Sequence, residues 1–395
     1  MSVTVDRNLS GATAIVGIGA TEFSKESGRS ELQLGCEAVT AAIADAGLKP
    51  SDVDGLVTFT AESSSEIHIA RNVGIGDFTF FSRVGYGGGA AAGTVAHAAA
   101  AINAGLADVV VCWRSFNERS GERYGLGQAN RPMDTNADRA AYSWMTPFGL
   151  STPAQWVAMF AQRYMHEYGA TSEDFGRVSV LSRARAATNP AAHFYGRPIT
   201  LEEHQASRWI SEPLHLLDCC QETDGGQALV LVSAERAKDL PNKPVHVVGA
   251  SQAAGDDQHM MTSYYRDSIS GIPEMGLVGD QLWAQSGLKA SDMDAAIIYD
   301  HFTPFVLSQL EELGFCGRGE APDFIKSGAL EMDGAVPMNT HGGQLGEAYL
   351  HGMNGIAEAV RLVRGTSVNQ PKTVDNVVVT AGTGVPTSGL VLGAR

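Results

Sequence analysis

The sequence predicts an α/β protein assembled from two similar halves, and three observations carry that prediction. A turn signature occurs twice: Gly47-Leu48-Lys49-Pro50-Ser51-Asp52-Val53-Asp54 is echoed by Gly287-Leu288-Lys289-Ala290-Ser291-Asp292-Met293-Asp294, with six identities in eight. Each half opens on an apolar run ending in glycine, Ala14-Ile15-Val16-Gly17-Ile18-Gly19 and Val245-His246-Val247-Val248-Gly249-Ala250. Each half also carries a small-residue helix that leads through a glycine to a β-branched run. These are Ala90 to Ala104, Gly105 and Asp108 to Cys112 in the first, and Gly355 to Val363, Gly365 and Asn376 to Thr380 in the second.

Each repeated element has a local cause. Glu31 to Ala46 and Gly279 to Ser286 read as helices, stopped by Gly47 and Gly287, since glycine takes the left-handed cap at no steric cost. The runs that follow, Leu56 to Phe59 and Ala296 to Tyr299, read as strands. Continuous β-branched runs rather than alternating ones predict sheets covered on both faces. Residues 115–213 have no counterpart in the other half. They are rich in Arg, Trp and Tyr, with helical patterns over Pro153 to Tyr168 and Glu173 to Asn189. An insertion of that length predicts a lid or substrate wall. The expected division is therefore 1–240, carrying the insertion, and 241–395.

Composition narrows the function. With 28 basic and 44 acidic residues among 395, the net charge is −16, which argues against nucleic acid and anionic membranes as partners. The 44% hydrophobic content fits a globular core, and 18% charge is low enough to suggest surface buried between subunits. The apolar stretch from Ala90 to Ala104 is too short to span a bilayer. The first residues, MSVTVDRNLSG, read as a flexible tail rather than a signal. Five cysteines with one adjacent pair suit neither a disulfide framework nor a zinc site, so a reduced, cytoplasmic protein is expected.

Longer motifs carry a resemblance. Leu217-Asp218-Cys219-Cys220-Gln221-Glu222-Thr223-Asp224-Gly225-Gly226, Tyr299-Asp300-His301-Phe302, Asn339-Thr340-His341-Gly342-Gly343, Gly346-Glu347-Ala348-Tyr349-Leu350-His351-Gly352 and Ala381-Gly382-Thr383-Gly384 follow one another in the order and spacing of the thiolase superfamily. Within it the chain is most similar to the thiolase-like lipid-transfer proteins, and among those to the actinobacterial steroid side-chain-cleaving aldolases. The resemblance implies the thiolase fold, two duplicated α/β halves in a layered α-β-α-β-α arrangement. It also implies a homodimer, and association with an OB-fold domain of a hydratase subunit.

The departures from a true thiolase point to different chemistry. The nucleophilic cysteine position falls on Gly88, inside Gly85-Tyr86-Gly87-Gly88-Gly89-Ala90. The histidine of the Gly-His-Pro motif aligns with Tyr349, the residue opening the other catalytic loop with Tyr299, and the second cysteine with Thr380. Without a thiol no acyl-enzyme forms by the usual route, whereas phenols exchange protons and stabilise oxyanions. The resemblance therefore implies retro-aldol cleavage of a 17-hydroxy-steroid 20-carboxyl-CoA thioester to a 17-ketosteroid and propionyl-CoA. Tyr299 and Tyr349 are the expected catalytic pair, with His301, His341 and Asp300 supporting them. Gly88 and Gly89 offer backbone N–H groups at a helix start to an oxyanion. No cofactor is expected beyond the CoA thioester, which belongs to the substrate. Two alternatives stand beside this reading: a non-catalytic acyl-CoA or sterol binding and transfer protein, and a thiolase.

Other candidates carry less. None of the seven lysines falls in the catalytic segments, which disfavours a Schiff base. His341 and His351 have no metal-ligand spacing, so no metal is expected. His97 reads as packed or interfacial, Cys219 and Cys220 as core, and Asp224-Gly225-Gly226 as the turn before a strand from Ala228 to Ser233. Gly17-Ile18-Gly19 is an incomplete dinucleotide fingerprint, because Glu22 stands where the third glycine belongs. Arg114, Arg119, Arg123 and Arg131 are open between CoA phosphates and solvent or interface. Gly352 to Ala359 reads as a close-packed helix over the pocket.

Overall fold

The computed structural model describes residues 9–85, 87–121, 123, 136–259, 261–382 and 387–395. The first eight residues of the tail, Tyr86, Arg131, Thr383 and Gly384 lie outside the described residues, as do the side chains of 136–139 and 141. Eleven strands are described: β1 Thr13–Ala20, β2 Gly55–Phe59, β3 Phe80–Val84, β4 Val109–Asn117, β5 Trp209–Ser211, β6 Leu214–His215, β7 Asp224–Ser233, β8 Val245–Ala253, β9 Ala295–Ile297, β10 Asn376–Ala381 and β11 Thr387–Gly393. Nine form one sheet in the order β3-β2-β4-β7-β1-β8-β11-β10-β9, and β5 pairs with β6 apart from it.

The duplication is visible in the strand neighbours. β2 lies parallel to β4, which is antiparallel to β7, itself antiparallel to β1. The second half mirrors this outward from the centre: β9 lies parallel to β10, and β11 is antiparallel to both β10 and β8. The halves meet through β1 and β8, paired only at Ala14↔His246 and Ile15↔Val245.

The repeated turn has a specific task. Lys49 N donates to Asp52 Oδ2 at 2.8 Å and Lys289 N to Asp292 Oδ2 at 3.0 Å, closing a short 3₁₀ turn in each half. The last aspartate of each copy then receives the neighbouring strand. Asp54 Oδ1 accepts from Asp108 N and Val109 N at the start of β4, and Asp294 Oδ2 accepts from Asp375 N and Asn376 N at the start of β10. Gly47 and Gly287 close the preceding helices, Glu31–Asp45 and Pro273–Ser286, at φ 71° and 69°.

Side-chain alternation explains the layers. Val109, Val111 and Trp113 of β4 pack in one cluster with Ala38, Val39 and Ala42 of the Glu31–Asp45 helix. Val110 and Cys112 point the other way, into a cluster shared with the Ala91–Asn103 and Met353–Arg364 helices. In the second half Val377 and Val379 face that same central cluster, whereas Val378 faces the cluster formed with the Pro273–Ser286 and Thr303–Glu312 helices. Helix, sheet, helix pair, sheet and helix thus stack in five layers. Both faces of the inner strands β2, β4, β7, β10 and β11 are buried, which is why these strands read as unbroken β-branched runs.

Several boundaries differ from the sequence reading. β4 continues past Cys112 through Asn117, so residues 115–117 belong to the sheet and not to the insertion. β7 begins at Asp224, so Asp224-Gly225-Gly226 is strand, kept free of side chains because a Cβ on Gly226 would meet the Leu34 carbonyl oxygen at 2.6 Å. Gly17 and Gly19 lie inside β1, where the Glu31–Asp45 helix packs directly on the backbone and leaves no room for Cβ atoms. That packing accounts for both glycines without a phosphate. The 153–168 and 172–188 helices form where the periodicity places them, on the second-half side of the molecule beside Phe305 and Leu310.

Candidate active site

The tyrosines arrive from two loops that follow buried elements. Tyr299 lies just beyond β9 and before the Thr303–Glu312 helix. Its backbone is held on both sides: Tyr299 N donates to Thr380 Oγ1 at 2.9 Å, Thr380 Oγ1 donates to Gln309 Oε1, and Gln309 Nε2 returns to the Tyr299 carbonyl at 2.8 Å. Tyr349 follows the short Gly343–Gly346 helix, and its N–H donates to Thr223 Oγ1 at 2.8 Å. The two hydroxyls meet at 3.3 Å, with Tyr299 donating to Tyr349. That is long for an O–H···O bond, so both oxygens keep capacity for a further polar partner.

Glycine makes the room. Gly88 opens the 3₁₀ turn before the Ala91–Asn103 helix, and a Cβ there would fall well inside contact distance of the Tyr299 hydroxyl and 3.0 Å from its Cε1. On the other side of the ring, a Cβ on Gly352 would lie 3.0 Å from Tyr299 Cε2. The Tyr299 phenol therefore occupies the space that a side chain at position 88 would need. Gly89 packs its backbone against Gly382.

Burial sets the electrostatics. Tyr299 and Tyr349 are 2% and 8% exposed. Desolvation raises both phenols well above their usual range. The bond to Tyr349 partly offsets the shift at Tyr299. Both rest protonated. His301 stacks on Phe305 at 5.3 Å and tilts against Tyr299 at 4.6 Å, and burial lowers it to about 3. It is a neutral ring at physiological pH, a neighbour of Tyr299 without a charge to lend.

The other expected residues separate from the hydroxyl pair. Asp300 turns to the 339–346 loop, accepting from Gln344 N at 2.6 Å and Ser182 Oγ at 3.1 Å, and desolvation raises its carboxyl. His341 is buried 3.9 Å from Glu347 Oε2, and among the described residues its ring nitrogens have no hydrogen-bond partner. No described contact joins it to either phenol. His97 is packed, bonded to Ser82 Oγ at 2.9 Å and Gln252 at 3.2 Å. Among the described residues no group of three or more His, Cys, Asp or Glu is disposed to hold a metal.

Arg114 is 2% exposed and spends its guanidinium inside the protein, paired with Glu62 at 3.0 Å and donating from Nε to His351 Nδ1 at 3.1 Å. It is not free for a CoA phosphate. Arg123 pairs with Glu222 at 2.6 Å. Cys220, read as core, is half-buried and packs on the cluster of Phe116, Tyr299, Tyr349 and Leu350. Desolvation raises its thiol well above the ordinary value, so it is not a thiolate.

Comparison with known proteins fits this geometry. The thiolase N-terminal domain family matches residues 13–235 and the thiolase C-terminal domain-like family residues 256–392. The chain belongs to the thiolase family. It is similar to a steroid side-chain-cleaving aldolase of Thermomonospora curvata, 77% identical over 98% of this chain and 99% of that one. The 17-hydroxy-3-oxo-4-pregnene-20-carboxyl-CoA lyase of Mycobacterium tuberculosis is 63% identical over 98% of this chain and all of its own length. The solved Ltp2-ChsH2(DUF35) aldolase superposes with a TM-score of 0.94 at 75% identity, covering 98% of each chain.

Two further residues line this thiolase-family site: His351, which the sequence reading weighed only as a metal ligand, and Phe116, which it placed in the insertion. His351 stacks on Phe116 at 4.9 Å and lies edge-on to Tyr349 at 5.1 Å. Burial, then the charge of Arg114, holds it well below the ordinary imidazole range. Phe116 was hidden in the insertion because β4 was drawn five residues short. The available signal was the even-numbered row Val110, Cys112, Arg114, Phe116 on one strand face.

Proposed function

We propose that this chain is a carbon–carbon lyase that cleaves a 17-hydroxy-steroid 20-carboxyl-CoA thioester by a retro-aldol step. The reading rests on the meeting of two buried phenols against a glycine turn, in a chain 77% identical to a steroid side-chain-cleaving aldolase. The C17 hydroxyl gives up its proton, the C17–C20 bond breaks, and its electron pair passes into the thioester as an enolate. A proton then reaches C20, giving the 17-ketosteroid and propionyl-CoA. The sum is redox-neutral and needs no cofactor.

Because both phenols rest protonated, the proton moves along them rather than onto a standing phenolate. One tyrosine oxygen accepts from the substrate hydroxyl as its own proton passes on, and the other helps deliver a proton to the enolate. Backbone N–H groups at Gly88 and Gly89, at the start of the Ala91–Asn103 helix, favour the thioester oxyanion. The acyl-enzyme route of a thiolase lacks its nucleophile: residue 88 is glycine, and the nearby Cys220 thiol is held neutral.

The protein acts in the cytoplasm as a homodimer and works with a DUF35-type partner carrying an OB-fold. β3 supports self-association, being the outer strand of the nine-stranded sheet with Phe81 65% exposed on it. The partner is proposed from the composition of the solved aldolase relative. The test is mass-spectrometric analysis of the thioester after incubation, with and without the partner. Appearance of 17-ketosteroid and propionyl-CoA in equal amounts supports the reading. Binding without turnover under either condition returns the chain to the transfer proteins, and cleavage that consumes free CoA returns it to the thiolases.

A further inference from the structure

His351 is held more firmly than packing alone requires. It is one of three non-glycine residues, among the described ones, with a left-handed backbone, at φ 53°. Glycine takes that conformation without strain, so a side chain kept there works against a local cost. The ring is 3% exposed, stacked on Phe116 at 4.9 Å and edge-on to Tyr349 at 5.1 Å.

A chain of hydrogen bonds decides which ring nitrogen holds the proton. Ser64 N and Ser115 N donate to the Glu62 carboxylate at 3.0 and 2.8 Å. Arg114 Nη1 donates to Glu62 Oε2 at 3.0 Å and to the Ser115 carbonyl at 3.1 Å. The guanidinium so fixed donates from Nε to His351 Nδ1 at 3.1 Å. Arginine can only donate, so Nδ1 must present its lone pair, and a neutral ring then carries its proton on Nε2. A second proton would break the bond and set two cations side by side. Burial, then the charge of Arg114, accordingly keeps the ring neutral.

The protonated edge faces the glycine turn. A Cβ on Gly87 would lie 3.0 Å from Nε2, nearer than to any other atom of the ring. The next residue, Gly88, faces the Tyr299 hydroxyl, which lies 3.3 Å from that of Tyr349. The imidazole edge and the phenol pair thus border one short turn at the start of the Ala91–Asn103 helix.

We propose that His351 is a third side-chain participant in this site, presenting its Nε2–H to the thioester oxygen as the enolate forms, with Arg114 and Glu62 as the positioning residues that fix its tautomer. The proposal rests on the retro-aldol reading and deepens it. No proton is transferred in this role: the hydrogen bond strengthens as charge gathers on the oxygen, and the ring stays neutral. Neutral imidazole can polarise a carbonyl on the way to an enolate. The same bonds bar His351 from acting as the base, since Nε2 is already protonated and Nδ1 is engaged.

The test compares wild type, His351→Phe, His351→Gln and Tyr349→Phe as full chains with the DUF35-type partner, each with its melting curve. Phe keeps a flat ring without a donor, whereas Gln restores one N–H donor and one acceptor. Loss of one oxyanion donor costs about 100- to 1,000-fold in kcat. We expect that loss in His351→Phe with little change in KM, and His351→Gln within about tenfold of wild type. Nitrogen-15 NMR of histidine-labelled protein, assigned by the signal missing from His351→Gln, should show His351 with its proton on Nε2. A proton on Nδ1, wild-type kcat in folded His351→Phe, or equal losses in the two His351 variants overturns the proposal. If His351→Phe does not fold, the tautomer and the rate of His351→Gln decide. If Tyr349→Phe loses turnover while His351→Phe keeps it, the donor alone fails. If wild type with its partner releases no propionyl-CoA, the retro-aldol reading fails and takes the donor with it.

Discussion

Gly88→Ala is a one-carbon change that strikes the centre of the site. A methyl group there would overlap the Tyr299 hydroxyl and lie 3.0 Å from its Cε1. Ordinary carbon contact begins at about 3.5 Å, so the ring must withdraw on the order of 1 Å at its hydroxyl end. It has little freedom to do so, since Gly352 lines its other edge, His301 lies 4.6 Å from it, and Thr380 and Gln309 hold its backbone. Overpacking of this kind costs about 1–3 kcal/mol of stability. A 1 Å displacement of a reacting group can cost about 100-fold in rate. We expect Gly88→Ala to melt a few degrees lower by calorimetry and to release propionyl-CoA about 100-fold more slowly, with CoA-thioester binding retained. A variant with wild-type melting and wild-type turnover would show that the phenol does not sit where the glycine leaves room, and the geometric argument would fail.

Three further outcomes follow from the same geometry. His301 titrates near 3 when folded and near ~6.5 when unfolded, so on acidification the unfolded chain takes the proton first and stability is lost as pH falls below the unfolded value. Between pH 7 and 5 this one group removes about 2 kcal/mol, which denaturant titration should find missing in His301→Gln. Arg114→Ala leaves Glu62 charged and buried, and should cost about 3–5 kcal/mol in urea unfolding; a loss below about 1 kcal/mol would contradict the buried pair. Burial raises all five thiols, so iodoacetamide at neutral pH should leave turnover within about twofold of the untreated protein, whereas loss in step with alkylation would indicate a cysteine nucleophile.

Much of the fold was legible because duplication wrote it twice. The Gly47–Asp54 and Gly287–Asp294 turns are spelled alike because Asp54 and Asp294 perform the same capping of the adjacent strand. The two phenols were legible through the family motifs. What stayed hidden was set by distance in space. Arg114 reads as a surface charge until its partners Glu62 and His351, 52 and 237 residues away, come into view. His301 lies two residues from Tyr299 in sequence, which suggested a supporting role, yet Phe305 and the surrounding burial leave its ring uncharged. His341 lies in the expected loop but turns toward Glu347. Adjacency along a loop does not determine which way a ring points.

The central claim is that a proton passes along Tyr299 and Tyr349 when the carbon–carbon bond breaks. Single-turnover product analysis of Tyr299→Phe and Tyr349→Phe, each checked for an unchanged melting curve, measures it most directly. We expect 17-ketosteroid formation to drop about 100-fold or more in both. Full turnover in both folded variants would contradict the account.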